Sequence, residues 1–159
     1  CVGAAFLKYY DLFMPFLKSV LVNAKSKEYR TMRGKAMECM SLIGVAVGKE
    51  KFLADAREIM EELHRTQANQ LEADDPQISF MLQSWARICK CLGSDFVPYL
   101  QFVIPPVLGS AKVAPDVQIL DADAPSEPGW EYVPFGDKNI AIKTSTLEEK
   151  STACNMLYC

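Results

Sequence analysis

An all-α solenoid fragment of antiparallel helical hairpins is predicted by three features of the sequence: a self-similarity at about 45 residues, apolar residues recurring at helical spacing inside each unit, and a glycine where each first helix must end. Shifting the sequence by about 90 residues lays Phe6, Tyr9, Leu12, Phe13, Met14 and Pro15 over Phe96, Tyr99, Phe102, Val103, Ile104 and Pro105. Two aromatic helices with a proline at the same place are hard to attribute to chance. Halving the shift lays residues 34–48 over 79–93, so that Ile43, Val47 and Gly48 meet Ile88, Leu92 and Gly93, and Phe52 falls near Phe96.

A unit of this length lies in the range of HEAT and armadillo arrays. Residues 6–24 read as the second helix of one unit. A full repeat follows over 29–67, with helices at 29–47 and 49–67, and another over 76–111, with helices at 77–92 and 95–110. In the run Phe52, Leu53, Ala56, Ile59, Met60 and Leu63, steps of three and four put every side chain on one face, the stripe a helix buries. Gly48 and Gly93 stand where a left-handed cap would end a first helix, and Ser94 or Asp95 can cap the second. Asp75-Pro76 opens a helix in the expected order, cap and then proline in the first turn. Pro15, and Pro105-Pro106, lie deeper in their helices and should kink them.

After Ala111 the period fails. The run from Glu149 to Leu157 resembles the one from Arg33 to Leu42 but arrives about 25 residues later than the spacing demands, so 112–145 is an insertion and 146–159 the first helix of the next repeat. This long acidic loop opens with Pro115, Asp121, Asp123, Pro125, Glu127 and Pro128, a stretch too polar and too rich in proline to pack. Its second half alternates, from Trp130 to Phe135 and again from Ile140 to Ile142, which suits a short β-hairpin over the turn Gly136 to Asn139. Pro134 confines its strand to an edge.

The charge is slightly acidic, 17 Lys and Arg against 20 Asp and Glu. Acidic residues outnumber basic ones about two to one after Ala111. No basic stripe is present, which argues against direct nucleic-acid binding. Cys1, Cys39, Cys89, Cys91, Cys154 and Cys159 are scattered, mostly inside apolar helical runs and behind no secretory leader, as expected of reduced thiols in a cytosolic or nuclear protein. Lys, Asp, Glu or Pro interrupts every apolar stretch before the roughly 18 residues a membrane span requires, so no membrane insertion is expected. Cys1 stands where an initiator Met would, and Met156 to Cys159 lies inside a helical pattern without a stop signal; an excerpt of a longer chain is expected.

Enzymatic chemistry has few materials here. His64 falls on the polar side of its helix among Glu61, Glu62 and Arg65, which favours a solvated surface histidine over a catalytic base. Cys89 and Cys91 have no second ligand pair at zinc spacing and read as packing thiols. Gly44 and Gly48 flank small apolar residues within a helix, where close packing explains them better than a phosphate loop. No catalytic residue, cofactor or metal site is expected. Asp55, Glu58 and Glu62, with Glu61 beside them, form an acidic strip on one edge of the second helix of the middle repeat. Like charges at that spacing cost a few tenths of a kcal/mol each. The strip is either a solvated face or a seat for lysines and arginines of a partner.

The stretches Tyr9 to Pro15, Arg33-Gly34-Lys35, Ser41 to Phe52, Asp74 to Ser79 and Leu147 to Cys154 together resemble the importin-beta, or karyopherin-beta, family of nuclear transport receptors. The resemblance covers nearly the whole chain and departs mainly from Val117 to Pro128, which is less acidic here. It implies a long HEAT-repeat scaffold, not an enzyme, that shuttles between cytoplasm and nucleus with basic cargo such as ribosomal proteins and histones, meets nucleoporins, and releases cargo to the GTPase Ran through the full-length receptor. In such solenoids the second helices line the concave, cargo-bearing side. The alternative is a HEAT subunit of a stable complex without a transport role.

Overall fold

In the computed structural model, which describes residues 3–68, 71–72 and 75–158, the repeat period is visible as bonds. Side chains one unit apart reach each other: Tyr10 to Asp55, Lys27 to Glu72, Arg33 to Gln77, Arg87 to Ser41 and Cys91 to the Gly44 carbonyl, at sequence separations of 44 to 47. Cys1, Asp74 and Cys159, which entered the sequence reading, lie outside the described residues.

The helices are α1 (Leu7–Asn23), α2 (Arg30–Val47), α3 (Lys49–Ala68), α4 (Gln77–Leu92), α5 (Leu100–Lys112) and α6 (Thr144–Leu157). A layer of first helices forms where α2 packs on α4 and α4 on α6; on its other side α1 and α3 lie together, each against α2, and α5 lies against α6. The His64 ring of α3 stacks on Phe102 of α5 with centroids 4.6 Å apart, which carries the second layer onward. Between the layers Met14, Met37, Met40, Phe52, Met60, Trp85 and Phe96 are shut off from solvent. Each such side chain contributes about 1.5 to 3 kcal/mol by leaving water.

The reversals follow from single residues. Gly48, the only residue between α2 and α3, has φ 85°, a conformation an L side chain resists, and its N–H closes α2 on the Gly44 carbonyl at 3.0 Å. Asp75 is buried, and its Oδ1 accepts the Gln77 N–H at 2.9 Å, the cap expected before Pro76. The second helix expected over 95–110 instead begins with a 3-10 stretch, Gly93–Tyr99, and becomes α-helical only at Leu100. Pro98 lacks the N–H an α-turn would use there and disfavours the α conformation at Val97. Asp95 makes no cap; it pairs with Lys49 at 2.5 Å.

The continuous helical run Gln77–Lys112 is, by length and composition, apolar enough to cross a membrane, contrary to the expectation that no stretch qualifies. Gly93, at φ 58° and ψ −126°, ends α4 in the middle of that run, and Met81, Leu82, Trp85, Ile88 and Leu92 of α4 are spent on the core.

The insertion is a three-stranded antiparallel sheet in the order β1 (Val117–Asp121), β3 (Lys138–Lys143), β2 (Trp130–Phe135). The β2–β3 hairpin matches the sequence reading, turning at Gly136 with φ 64°, although β3 starts at Lys138, sooner than the turn to Asn139 allowed. β1 corrects it, because the first half of the insertion was expected to remain unpacked. A two-stranded hairpin is marginal in water, and Val117, Gln118, Ile119 and Leu120 supply the third strand that flanks the apolar β3 on its open side.

Candidate functional site

α3 runs beside α1, and Glu58 and Glu62 of the acidic strip line a groove between them. The groove, about 420 Å³, is floored by Pro15, Val22 and Ile59 and edged by Lys18, Glu58 and Glu61. The three strip residues lie along one side of α3, but they differ in environment, and Asp55 stands outside the groove lining. Asp55 is half-buried, accepting from the Tyr10 hydroxyl at 2.6 Å and the Lys18 ammonium at 2.8 Å. Glu58 is well exposed and meets the same ammonium at 2.5 Å. Glu62 is mostly covered and paired with Arg65 one turn on. The Glu61 carboxylate, exposed at the rim, has no ion pair among the described residues. Lys18 therefore offsets the repulsion that the spacing of the acids imposes.

Burial pushes the Asp55 carboxyl up, but hydrogen bonds from Lys18 and Tyr10 and the charges of Lys18 and Lys51 outweigh it and hold the group below the usual carboxylate range. Burial and the hydrogen bond to Asp55 raise the Tyr10 phenol far above its ordinary value. Burial opposes the charge of Lys18, while bonds to Asp55 and Glu58 carry its pKa upward in sum. A depressed acid stabilises the fold above its unfolded pKa, about 4, and loses that as pH falls through the folded value; raised Lys and Tyr groups stabilise below their unfolded values, about 10, and lose it as pH rises. The α1–α3 contact should therefore contribute fully between about pH 4 and 10 and weaken on both sides. Urea unfolding of Asp55→Asn across pH checks this: part of the acid-side slope should vanish, and an unchanged slope would contradict it.

Three other residues singled out in the sequence make packing contacts. His64 is exposed at its edge and spends one face on Phe102. Cys89 and Cys91 are half-buried and in no disulfide, and burial, against the charge of Lys49, pushes the Cys91 thiol up, away from reactive thiolate. A Cβ on Gly44 would come within 2.7 Å of the Phe52 ring, so close helix approach requires that glycine. Sequence reasoning missed Arg33. It is buried, and its guanidinium donates to the Leu21 carbonyl at 2.7 Å, Thr66 Oγ1 at 2.6 Å and Gln77 Oε1 at 3.4 Å, joining α1, α3 and α4. The available signal was its place in the buried stripe of α2, in step with Met37, Met40 and Gly44.

No protein-family model matches the chain. Importin subunit beta-3 of Saccharomyces cerevisiae is 43% identical over 156 residues, 96% of this chain and 14% of that protein. The probable importin-5 homolog of Dictyostelium discoideum is 31% identical over 156 residues, 98% of this chain and 14% of that protein. Of solved structures, Kap121p bound to Pho4p matches with a TM-score of 0.75 and 43% identity, over 96% of this chain and 14% of that one. Kap121p also matches in its complexes with Nup53p and with the SUMO protease Ulp1p. The chain thus spans 14% of the length of these relatives. Similar to them in sequence and in three dimensions along nearly all of its own length, it belongs to the importin-beta superfamily and is a piece of a HEAT-repeat solenoid.

Proposed function

We propose that the chain is part of the cargo-bearing scaffold of a nuclear transport receptor and that the groove between α1 and α3 holds a basic segment of cargo through Asp55, Glu58 and Glu62. The observation that carries this reading is the seating of Lys18. Its ammonium lies between Asp55 and Glu58 at 2.8 and 2.5 Å, on the wall of an open groove whose rim still offers the unpaired carboxylate of Glu61. A lysine from an extended partner would find the same apolar floor and the same acids. Kap121p, a similar protein of known structure, is seen bound to Pho4p and to Nup53p, which supports a role in binding other proteins. On this reading the full-length receptor takes up lysine-rich proteins such as ribosomal proteins and histones, meets nucleoporins, yields its cargo to Ran, and moves between cytoplasm and nucleus. It is a binding scaffold and not an enzyme.

The test is a titration of a lysine-rich cargo against the full-length receptor and its Asp55→Asn, Glu58→Gln, Glu62→Gln triple variant at low and high salt. Each exposed pair is worth about 0.2 to 1 kcal/mol, so the triple should weaken binding by roughly tenfold at low salt, with the deficit shrinking as salt rises. Asp55 also ties α1 to α3, so the melting temperature of the variant is measured alongside. Equal affinities at low salt would remove these residues from the site.

A further inference from the structure

We propose that the outer edge of β1 is a docking strand, which takes an extended segment of a partner protein carrying lysines or arginines at its ends. The phase of the sheet decides which peptide groups are free. The Lys143 N–H bonds to the Asp116 carbonyl, and the Thr144 N–H to the Gly129 carbonyl, each at 3.0 Å. In an antiparallel ladder alternate residues face the partner strand. With Val117 opposite Ile142 and Glu131 opposite Ile142, the β1 residues bonded to β3 are Gln118 and Leu120, while Val117 and Ile119 turn their peptide groups outward. On the far side, β2 turns Trp130, Tyr132 and Pro134 outward. Proline there removes an N–H that the ladder does not use, and it blunts that edge against further pairing.

The β1 edge has no such guard: no proline, lysine or bulge lies between Val117 and Asp121. Ile119 is 68% exposed and Val117 48%, on the same face as Val133 and the 72% exposed Phe135, so a fourth strand would gain apolar neighbours as well as main-chain bonds. The opposite face is already partly covered, since the Glu127 N–H donates to the Tyr132 hydroxyl at 2.8 Å and draws the loop over Leu120 and Gln118. The charges select the occupant. Asp116, Asp121 and Asp123 bracket the edge and enter no ion pair among the described residues. A second copy of β1 would bring the same three carboxylates to the seam from each side, which like charge opposes; a strand with basic flanks satisfies them.

The experiment uses the intact protein and the synthetic peptide KKVTVTVKK, with KKPPPPPKK as a probe of equal charge that cannot donate to the ladder. The first should bind saturably and slow amide exchange at Val117 and Ile119 by about tenfold or more, and the second should bind at least about tenfold more weakly. Ile119→Pro removes an outward N–H and an exposed apolar side chain but no bond to β3, so it should abolish the tight binding with the melting temperature nearly unchanged. The Asp116→Asn, Asp121→Asn, Asp123→Asn variant, which leaves every ladder bond in place, should weaken binding and flatten its salt dependence. No binding of the alternating peptide, equal binding of the proline peptide, or Ile119→Pro binding as tightly as the parent would overturn the proposal. So would protection of Val117 and Ile119 that grows with protein concentration alone, which would assign the edge to a second copy.

Discussion

Replacing Arg33 by methionine should lower the unfolding free energy by about 3 to 5 kcal/mol, the size expected when a buried, hydrogen-bonded charge is withdrawn and its partners are stranded. The guanidinium is nearly inaccessible and meets one backbone carbonyl and two side chains, on three different helices. Burial pulls its pKa down, and the charges of Glu62 and Asp75 oppose that, yet a guanidinium stays protonated in any protein, so folding must accommodate the charge. Methionine fills much of the volume but leaves the Leu21 carbonyl without a donor at the end of α1 and frees Thr66 and Gln77. Arg33→Lys keeps the charge without the planar fork and should fall between the two. Urea denaturation measures all three, and a loss below about 1 kcal/mol for methionine would show that water substitutes for the guanidinium.

A comparable loss, about 3 to 5 kcal/mol, is expected for Phe52→Ala, because the ring is fully buried and sits against Gly44 with no room for a side chain there. Gly44→Ala alone should cost about 1 to 3 kcal/mol by pressing a methyl into that ring. The two changes occupy the same space, so the double variant should be less destabilised than the sum of the singles, by about 0.5 to 3 kcal/mol. Strict additivity in denaturant unfolding would mean that α2 and α3 move apart to admit the methyl, and that Gly44 is not what sets their approach.

The parts of this fold legible in the sequence are those specified by local rules. α4 occupies Gln77–Leu92 as read, because a capping aspartate, a proline and a φ-positive glycine bracket a periodic stripe. Gly48 marks the hairpin for the same reason. The late start of α5 was misread because Ser94 and Asp95 suit a cap in isolation, whereas Pro98 three residues on decides the geometry. β1 was missed because its five residues are nearly all exposed and gain order only by pairing with β3 across the loop, information that no local pattern contains. On α3, the acids were legible from their spacing. Their partners Tyr10 and Lys18 lie a repeat away on α1, and only the stacking of units brings them within 3 Å. Arg33 was hidden by its type: an arginine in an apolar stripe looks like a boundary residue until the carbonyl it serves is known.

The most direct measurement of the central claim, that the α1–α3 groove is where a basic partner sits, is carboxylate footprinting of the full-length receptor with and without a lysine-rich cargo. Labelling of Glu58 and Glu61 should fall when cargo is bound, while exposed Glu28, next to the first helix of that repeat, keeps its labelling. Unchanged labelling of Glu58 and Glu61 at saturating cargo would place the cargo elsewhere on the receptor.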